Sequence, residues 1–149
     1  MKKALGILLV FVMGVCLVSS AVPALADYKV AIVTNTVSQN EEEYRSAQQM
    51  VEKYGDRVVH VMWPDNFMAE QEQMVSVLAK LAYDVDVKAV VINQAVPGTN
   101  PAVDKLLETR DDVFIVYATP QENPPDVAER AQLVRSEEHT SELQSHHPI

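Results

Sequence analysis

Apolar residues fall along the chain in four short runs, with longer amphipathic stretches between them. Tyr28–Thr34 (YKVAIVT) is β-branched and almost continuously apolar, the pattern of a strand buried on both faces of a parallel sheet. A polar loop, Asn35–Gln39, follows. Asn40 is placed to cap a helix, with Glu43 closing a capping box. Tyr44, Ala47, Val51 and Tyr54 then recur on one helical face, and Gly55 suits the position just past the helix end. Val58–Met62 (VVHVM) predicts a second strand, which Trp63-Pro64-Asp65-Asn66 terminates. A helix is predicted over about Met68–Tyr83, with Met74, Val77, Leu78 and Leu81 as its apolar positions. Lys88–Asn93 (KAVVIN) predicts a third strand, and Gln94–Thr99 a loop. Asn100 is then expected to cap a helix with Pro101 at its first position, its inward residues being Val103, Leu106 and Leu107. Val113–Tyr117 (VFIVY) predicts a fourth strand, and Asp126 with Glu129 the start of one more helix.

Strands that alternate with helices predict an α/β fold: a Rossmann-like parallel sheet with right-handed crossovers, flanked by helices. The predicted strand order is 2-1-3-4, with later strands absent and the fourth left as an unpaired edge. In such sheets a ligand lies beyond the carboxyl ends of the strands, where successive crossovers diverge. That switch point falls here between the first and third strands. The loops at that end supply Thr36, Ser38, Gln39, Asp65, Asn66, Asn93, Gln94, Thr119 and Gln121. Neutral donors and acceptors with one carboxylate suit a small polar molecule held by directional hydrogen bonds. Residues of these types also serve as helix caps and turn formers.

Composition narrows the chemistry. The formal net charge of −9 argues against nucleic acid, whose phosphates require clustered Lys and Arg. Outside the first 26 residues the glycines are Gly55 and Gly98. No G-x-G-x-x-G, phosphate-cradling G-x-x-x-x-G-K or G-x-S-x-G motif occurs, so neither a nucleotide cofactor nor a nucleophile elbow is indicated. No cofactor or metal is predicted. Glu41-Glu42-Glu43 reads as acidic residues complementing a helix dipole, and His60 as a structural histidine. Trp63 reads either as packing or as a stacking platform.

The two ends read differently from the middle. Lys2 and Lys3, the apolar run Ala4–Val18 and the site Ala24-Leu25-Ala26 have the three parts of a secretory signal. Cleavage after Ala26 is expected, leaving Asp27 as the new N-terminus. The only cysteine, Cys16, would leave with the leader, so contact with membrane is expected only through the uncleaved leader. Residues 135–145 (RSEEHTSELQS) resemble the in-frame translation of a common short-read sequencing adapter. An artefactual tail over 135–149 is therefore expected, and its His139, His146 and His147 are not read as a metal site. This division gives residues 1–26 as signal, 27–134 as the lobe and 135–149 as tail.

At VTNTVSQNEEEYRSA, WPDNFMAEQE and INQAVPGTNPA the sequence resembles an uncharacterised bacterial family with a type I periplasmic-binding-protein-like fold. The resemblance spans nearly all of Asp27–Val134 in one collinear order. It departs at Asn35 and Asn40, where glycine is more usual. It implies two Rossmann-like lobes with the ligand in the cleft between them, of which this chain would carry an incomplete first lobe. The function expected is that of an exported solute-binding protein, periplasmic or extracellular, passing a small polar ligand to a membrane transporter permease. The alternatives are an extracytoplasmic sensor coupled to signalling and an exported enzyme with its catalytic residues in the missing half. The absence of nucleophile, metal and phosphate motifs weighs against the enzyme, so a non-enzyme is expected.

Overall fold

The computed structural model describes residues 28–135. The leader, its cleavage site at Ala26 and the tail beyond Arg135 lie outside the described residues. The elements are β1 (Lys29–Thr34), α1 (Glu41–Tyr54), β2 (Val58–Met62), α2 (Gln71–Ala79), β3 (Val87–Ile92), α3 (Thr99–Leu107), β4 (Phe114–Ala118), α4 (Pro124–Ala128) and β5 (Leu133–Arg135). Short 3₁₀ turns at Gly55–Arg57 and Lys80–Tyr83 lead into β2 and towards β3.

All strands pair in parallel, in the order β2-β1-β3-β4-β5. The predicted order 2-1-3-4 is thus present and extended by one strand. β5 pairs Leu133, Val134 and Arg135 with Val116, Tyr117 and Ala118, so β4 is not an edge. The sequence boundary expected after Val134 falls inside this strand. A three-residue strand has no periodicity of its own, and β5 forms because β4 offers it a ladder.

The chain steps from β1 outward to β2, then back across β1 to β3 and onward. Right-handed crossovers therefore put α1 on one face and α2, α3 and α4 on the other. The core lies on the second face. Ala31, Val33, Val90, Ile92, Ile115 and Tyr117 project there at every second position and meet Met74, Leu78, Val103 and Leu106. The first face carries α1, anchored by buried Ala47. Among the described residues no other helix lies on it, and Phe114 there is 47% exposed.

Two helices differ from expectation. α2 is shorter than Met68–Tyr83. Its entry is a turn in which the Asn66 carbonyl accepts the Ala69 and Glu70 N–H groups at 3.0 and 2.9 Å, and its exit tightens into the 3₁₀ turn. Asn100 does not cap α3. Gly98 occupies the cap position with φ of 100°, Pro101 is the third helical residue, and Asn100 is buried with its Oδ1 accepting the Tyr117 hydroxyl at 3.1 Å. Gly98 is required by its left-handed φ, and a Cβ there would also displace the end of the Gln71 side chain. Gln71 Nε2 donates to the Phe67 and Pro97 carbonyls at 3.0 and 3.2 Å. The Asn40 cap of α1 forms as predicted, its Oδ1 accepting Glu43 N–H at 3.2 Å. The Glu43 side chain, however, turns to the Asn35 backbone.

Candidate functional site at the carboxyl edge of the sheet

All nine predicted residues lie in the loops that leave the carboxyl ends of the strands. Thr36, Ser38 and Gln39 follow β1, Asp65 and Asn66 follow β2, Asn93 and Gln94 follow β3, and Thr119 and Gln121 follow β4. Parallel pairing brings these loops to one edge of the sheet, because every strand ends there.

Four of the residues form one cluster. The hydroxyls of Thr36 and Ser38 both reach Asp65 Oδ1, Ser38 at 2.5 Å, and they approach each other at 2.8 Å. Gln39 Nε2 donates to the Asp65 carbonyl at 3.0 Å. These bonds, the Ser38 hydroxyl first and then Thr36, hold the Asp65 carboxyl below the usual carboxylate range. The β1 and β2 loops are thereby fastened to one another.

A second group bridges β1 and β3. Asn35 Nδ2 donates to Gln94 Oε1 at 3.1 Å. Asn35 is 4% exposed, and its Oδ1 is buried without a partner. Gln94 takes a φ of 45°, and Thr119, at the end of β4, a φ of 44°. Left-handed backbone at a β-branched threonine is uncommon, and such conformations cost about 1–3 kcal/mol each. Strain of this kind concentrates at binding and switch regions.

The remaining predicted residues stand apart from both groups. Asn66 is exposed and contributes its carbonyl to the turn before α2. Asn93 extends the ladder, its N–H donating to the Val33 carbonyl at 2.9 Å. Thr119 is exposed, and its N–H donates to the Arg135 carbonyl at 2.7 Å. Gln121 ties the β4 loop to the β3 loop through its N–H and the Ala95 carbonyl, 2.9 Å apart.

Three residues of this edge were not singled out from the sequence as site residues. Asn35 directly follows β1, and its burial depends on Gln94, a residue distant in sequence. Glu122 caps α3: its Oε1 accepts the N–H groups of Gly98 and Asn100 at 2.9 and 3.2 Å. Glu43 is pushed up from the ordinary glutamate range by burial, offset in part by the Asn35 backbone N–H. No local pattern signals the Glu122 contact, because its partners sit in a different loop.

His60 is structural, as expected. Its Nε2 lies 2.8 Å from Thr34 Oγ1 and its Nδ1 2.8 Å from Gln48 Nε2. The Thr34 hydroxyl donates to the Asn35 carbonyl, so it accepts from His60 Nε2–H, and Nδ1 accepts from Gln48. Both nitrogens are satisfied in the neutral ring, and burial lowers the His60 pKa. Trp63 is 1% exposed and belongs to the core, which favours packing over stacking on a ligand.

An apolar groove lies elsewhere. Tyr28, Val30, Ile32, Met50, Tyr54, Arg57 and Val58 line it at the opposite end of β1. It holds none of the candidate residues and is the uncovered flank of α1.

A family model described as a protein of unknown function, DUF3798, matches residues 28–144. An uncharacterized protein of Treponema pallidum (strain Nichols) is 26% identical over 123 residues, which is 78% of this chain and 56% of the relative. A crystal structure from Clostridium difficile 630, of a protein proposed to be a transcriptional regulator, superposes with a TM-score of 0.66 at 26% identity. That match covers 70% of this chain and 32% of the other. The chain thus spans about half of the curated relative's length and about a third of the solved one.

Proposed function

The chain belongs to the DUF3798 family of proteins of unknown function, and we propose that it forms one wall of an extracytoplasmic solute-binding site. The observation that carries this reading is the gathering of polar loops at the switch point of the sheet, where diverging crossovers leave a crevice in folds of this kind. The Asn35–Gln94 bridge and the Thr36–Ser38–Asp65 cluster stand in those loops, and Gln94 is strained. A type I periplasmic-binding-protein-like architecture accounts for the parallel sheet and for relatives much longer than this chain. In that architecture the opposite wall comes from a second lobe. The bound molecule is small and polar, and delivery to a membrane permease is the role proposed first. The leader read from residues 1–26 supports export.

The likeness to a Clostridium difficile protein proposed to be a transcriptional regulator favours a second reading, in which the same crevice senses a ligand and reports it to a partner. A thermal-shift screen of small polar metabolites tests the site itself. For any molecule that raises the melting temperature, Ser38→Ala and Gln94→Ala should each cost about 1–3 kcal/mol of binding, as expected when a buried ligand group loses its partner. Unchanged affinity in both variants, with the fold intact, removes the crevice as the site. Deleting the gene then separates the roles: lost uptake of the ligand supports transport, and altered transcription with uptake intact supports sensing.

A further inference from the structure

The two faces of the sheet are unequally covered. Residues paired across parallel strands stand side by side on one face, so the register draws two rows outward from β1 on the face that carries α1. Val30, Ala89 and Phe114 form one row, and Val91, Val116 and Leu133 the other. Every member is apolar and none is fully buried. Phe114 and Leu133 are 47% and 53% exposed, and the other four are half-buried. One position along each strand, Val90, Ile115 and Tyr117 are fully buried on the opposite face. Strands of an all-parallel sheet are apolar on both sides because helices cover both. Among the described residues α1 is the helix on this side, and it packs on β1 and β2.

The apolar strip over β3, β4 and β5 has the dimensions of one helix. Neighbouring strands lie about 4.8 Å apart, so the strip is about 10 Å wide, the diameter of a helix with its side chains. A six-residue strand such as β3 is about 20 Å long, a length that about 13 helical residues span. The groove beside α1 joins the strip at Val30. At the amino edge of that groove the Arg57 guanidinium lies over the Tyr28 ring, 4.9 Å from its centroid. A helix running antiparallel to the strands would bring its carbonyl end to this edge, where a cation is favourable.

We infer that this strip is the seat of an amphipathic helix, supplied by the further length that longer members of the family carry. The matches leave close to half of the Treponema pallidum relative and about two thirds of the solved chain outside them, ample for such an element. A second copy of this chain fits the strip less well. The outward positions of α1 are Glu42, Arg45, Gln49 and Glu52, all exposed, so α1 has no apolar stripe to lay in a neighbour's strip. Being about 10 Å thick, α1 also keeps a flat sheet face from reaching past it.

Thiol labelling tests the seat. Cys16 is the only cysteine, so Cys16→Ser combined with Phe114→Cys, or with Leu133→Cys, offers a single thiol to a maleimide at an exposed position, with the fold checked by circular dichroism. The aligned positions are made the single cysteine of the whole Treponema pallidum relative. Labelling should be fast in this chain and about 100-fold slower in the relative, where the thiol reacts only on local opening. Cysteines stepped through the remainder of the relative should then form disulfides with that thiol at intervals of three and four residues, the spacing of one helix face. Equal labelling in the two proteins overturns the seat. Protection with no disulfide to the remainder, or with disulfides at every second residue as in a strand, overturns the helix. Slow labelling in this chain itself also overturns the inference: a rate that falls with protein concentration assigns the strip to a second copy, and one that does not assigns it to the chain's own ends.

Discussion

The two edges of the sheet are built from similar residue types used in opposite ways. At the amino edge, charges close on each other. Lys29 pairs with Asp84 at 2.8 Å, and Lys88 and Arg110 both pair with Asp112, Arg110 at 2.6 Å. The Arg110 guanidinium, on a residue only 8% exposed, also donates to the carbonyls of Asp84 and Val87 at 3.0 and 2.9 Å and more weakly to those of Ala82 and Val85. At the carboxyl edge, Asp65 and Glu122 bind hydroxyls and backbone amides rather than cations, Asn35 Oδ1 has no partner, and two non-glycine residues sit at positive φ. One edge is satisfied and the other is left with unused capacity. The contrast separates what the fold needs for stability from the edge proposed to receive a ligand.

Removing Arg110 should give the largest effect. Arg110→Ala strips the donors from several backbone carbonyls and from Asp112, and a loss of about 3 kcal/mol or more is expected in urea unfolding. A loss below about 0.5 kcal/mol, typical of an ordinary surface change, would erase the distinction between the edges. Gly98→Ala comes next, at about 1–3 kcal/mol for a strained backbone site. The end of Gln71 can shift away from the new methyl, so the positive φ should set most of that cost.

Thr119→Gly should act in the other direction. Relief of the left-handed strain outweighs the added chain entropy, and stabilisation of about 1 kcal/mol is expected. A stabilised variant with weakened ligand binding would mark the strain as functional, whereas a destabilised one would show that Thr119 contributes contacts the strain argument omits.

The smallest effect is a dependence on pH that separates the edges in order. Burial holds the folded His60 pKa below its ordinary value of 6.5, so the unfolded chain takes up the proton more readily. The contribution of the neutral ring is present above about that value and is lost as pH falls below it. Asp84 and Asp112 at the amino edge are instead held below 3.8 by Lys29 and by Arg110 with Lys88. Their contribution persists above that value and is lost only as pH falls further. Melting temperature should therefore drop slightly between pH 7 and 5, a drop that His60→Gln flattens, and drop again in stronger acid. A wild-type profile that is flat down to pH 4 would refute the role given to His60.

The strands, their order and the loops that gather at the carboxyl edge were legible because β-branched runs and right-handed crossovers are local or nearly universal rules. Asn40 as a cap was legible for the same reason: donor and acceptor are three residues apart. What stayed hidden depends on partners distant in sequence. The cap of α3 is Glu122, borrowed from the next loop, so Asn100 was mistaken for it. Asn35 gives no hint of burial until Gln94 arrives from β3. The contacts of Thr36 and Ser38 become visible only once Asp65 is beside them. β5 is too short to announce itself and exists through its pairing with β4.

The link between Asp65 and the β1 loop has a thermodynamic consequence. Thr36, Ser38 and Gln39 are already fixed against the β2 loop before any ligand arrives, so the loss of loop freedom accompanies folding rather than association. Immobilising a side chain on binding typically costs about 0.5–1.5 kcal/mol, and at this wall most of that penalty is absent. A molecule entering the proposed site would therefore meet a pre-oriented surface, and its affinity would depend on desolvation and on the match of hydrogen-bonding groups. Amide exchange in the Thr36–Asn40 turn should be slow in the free chain and change little on saturation.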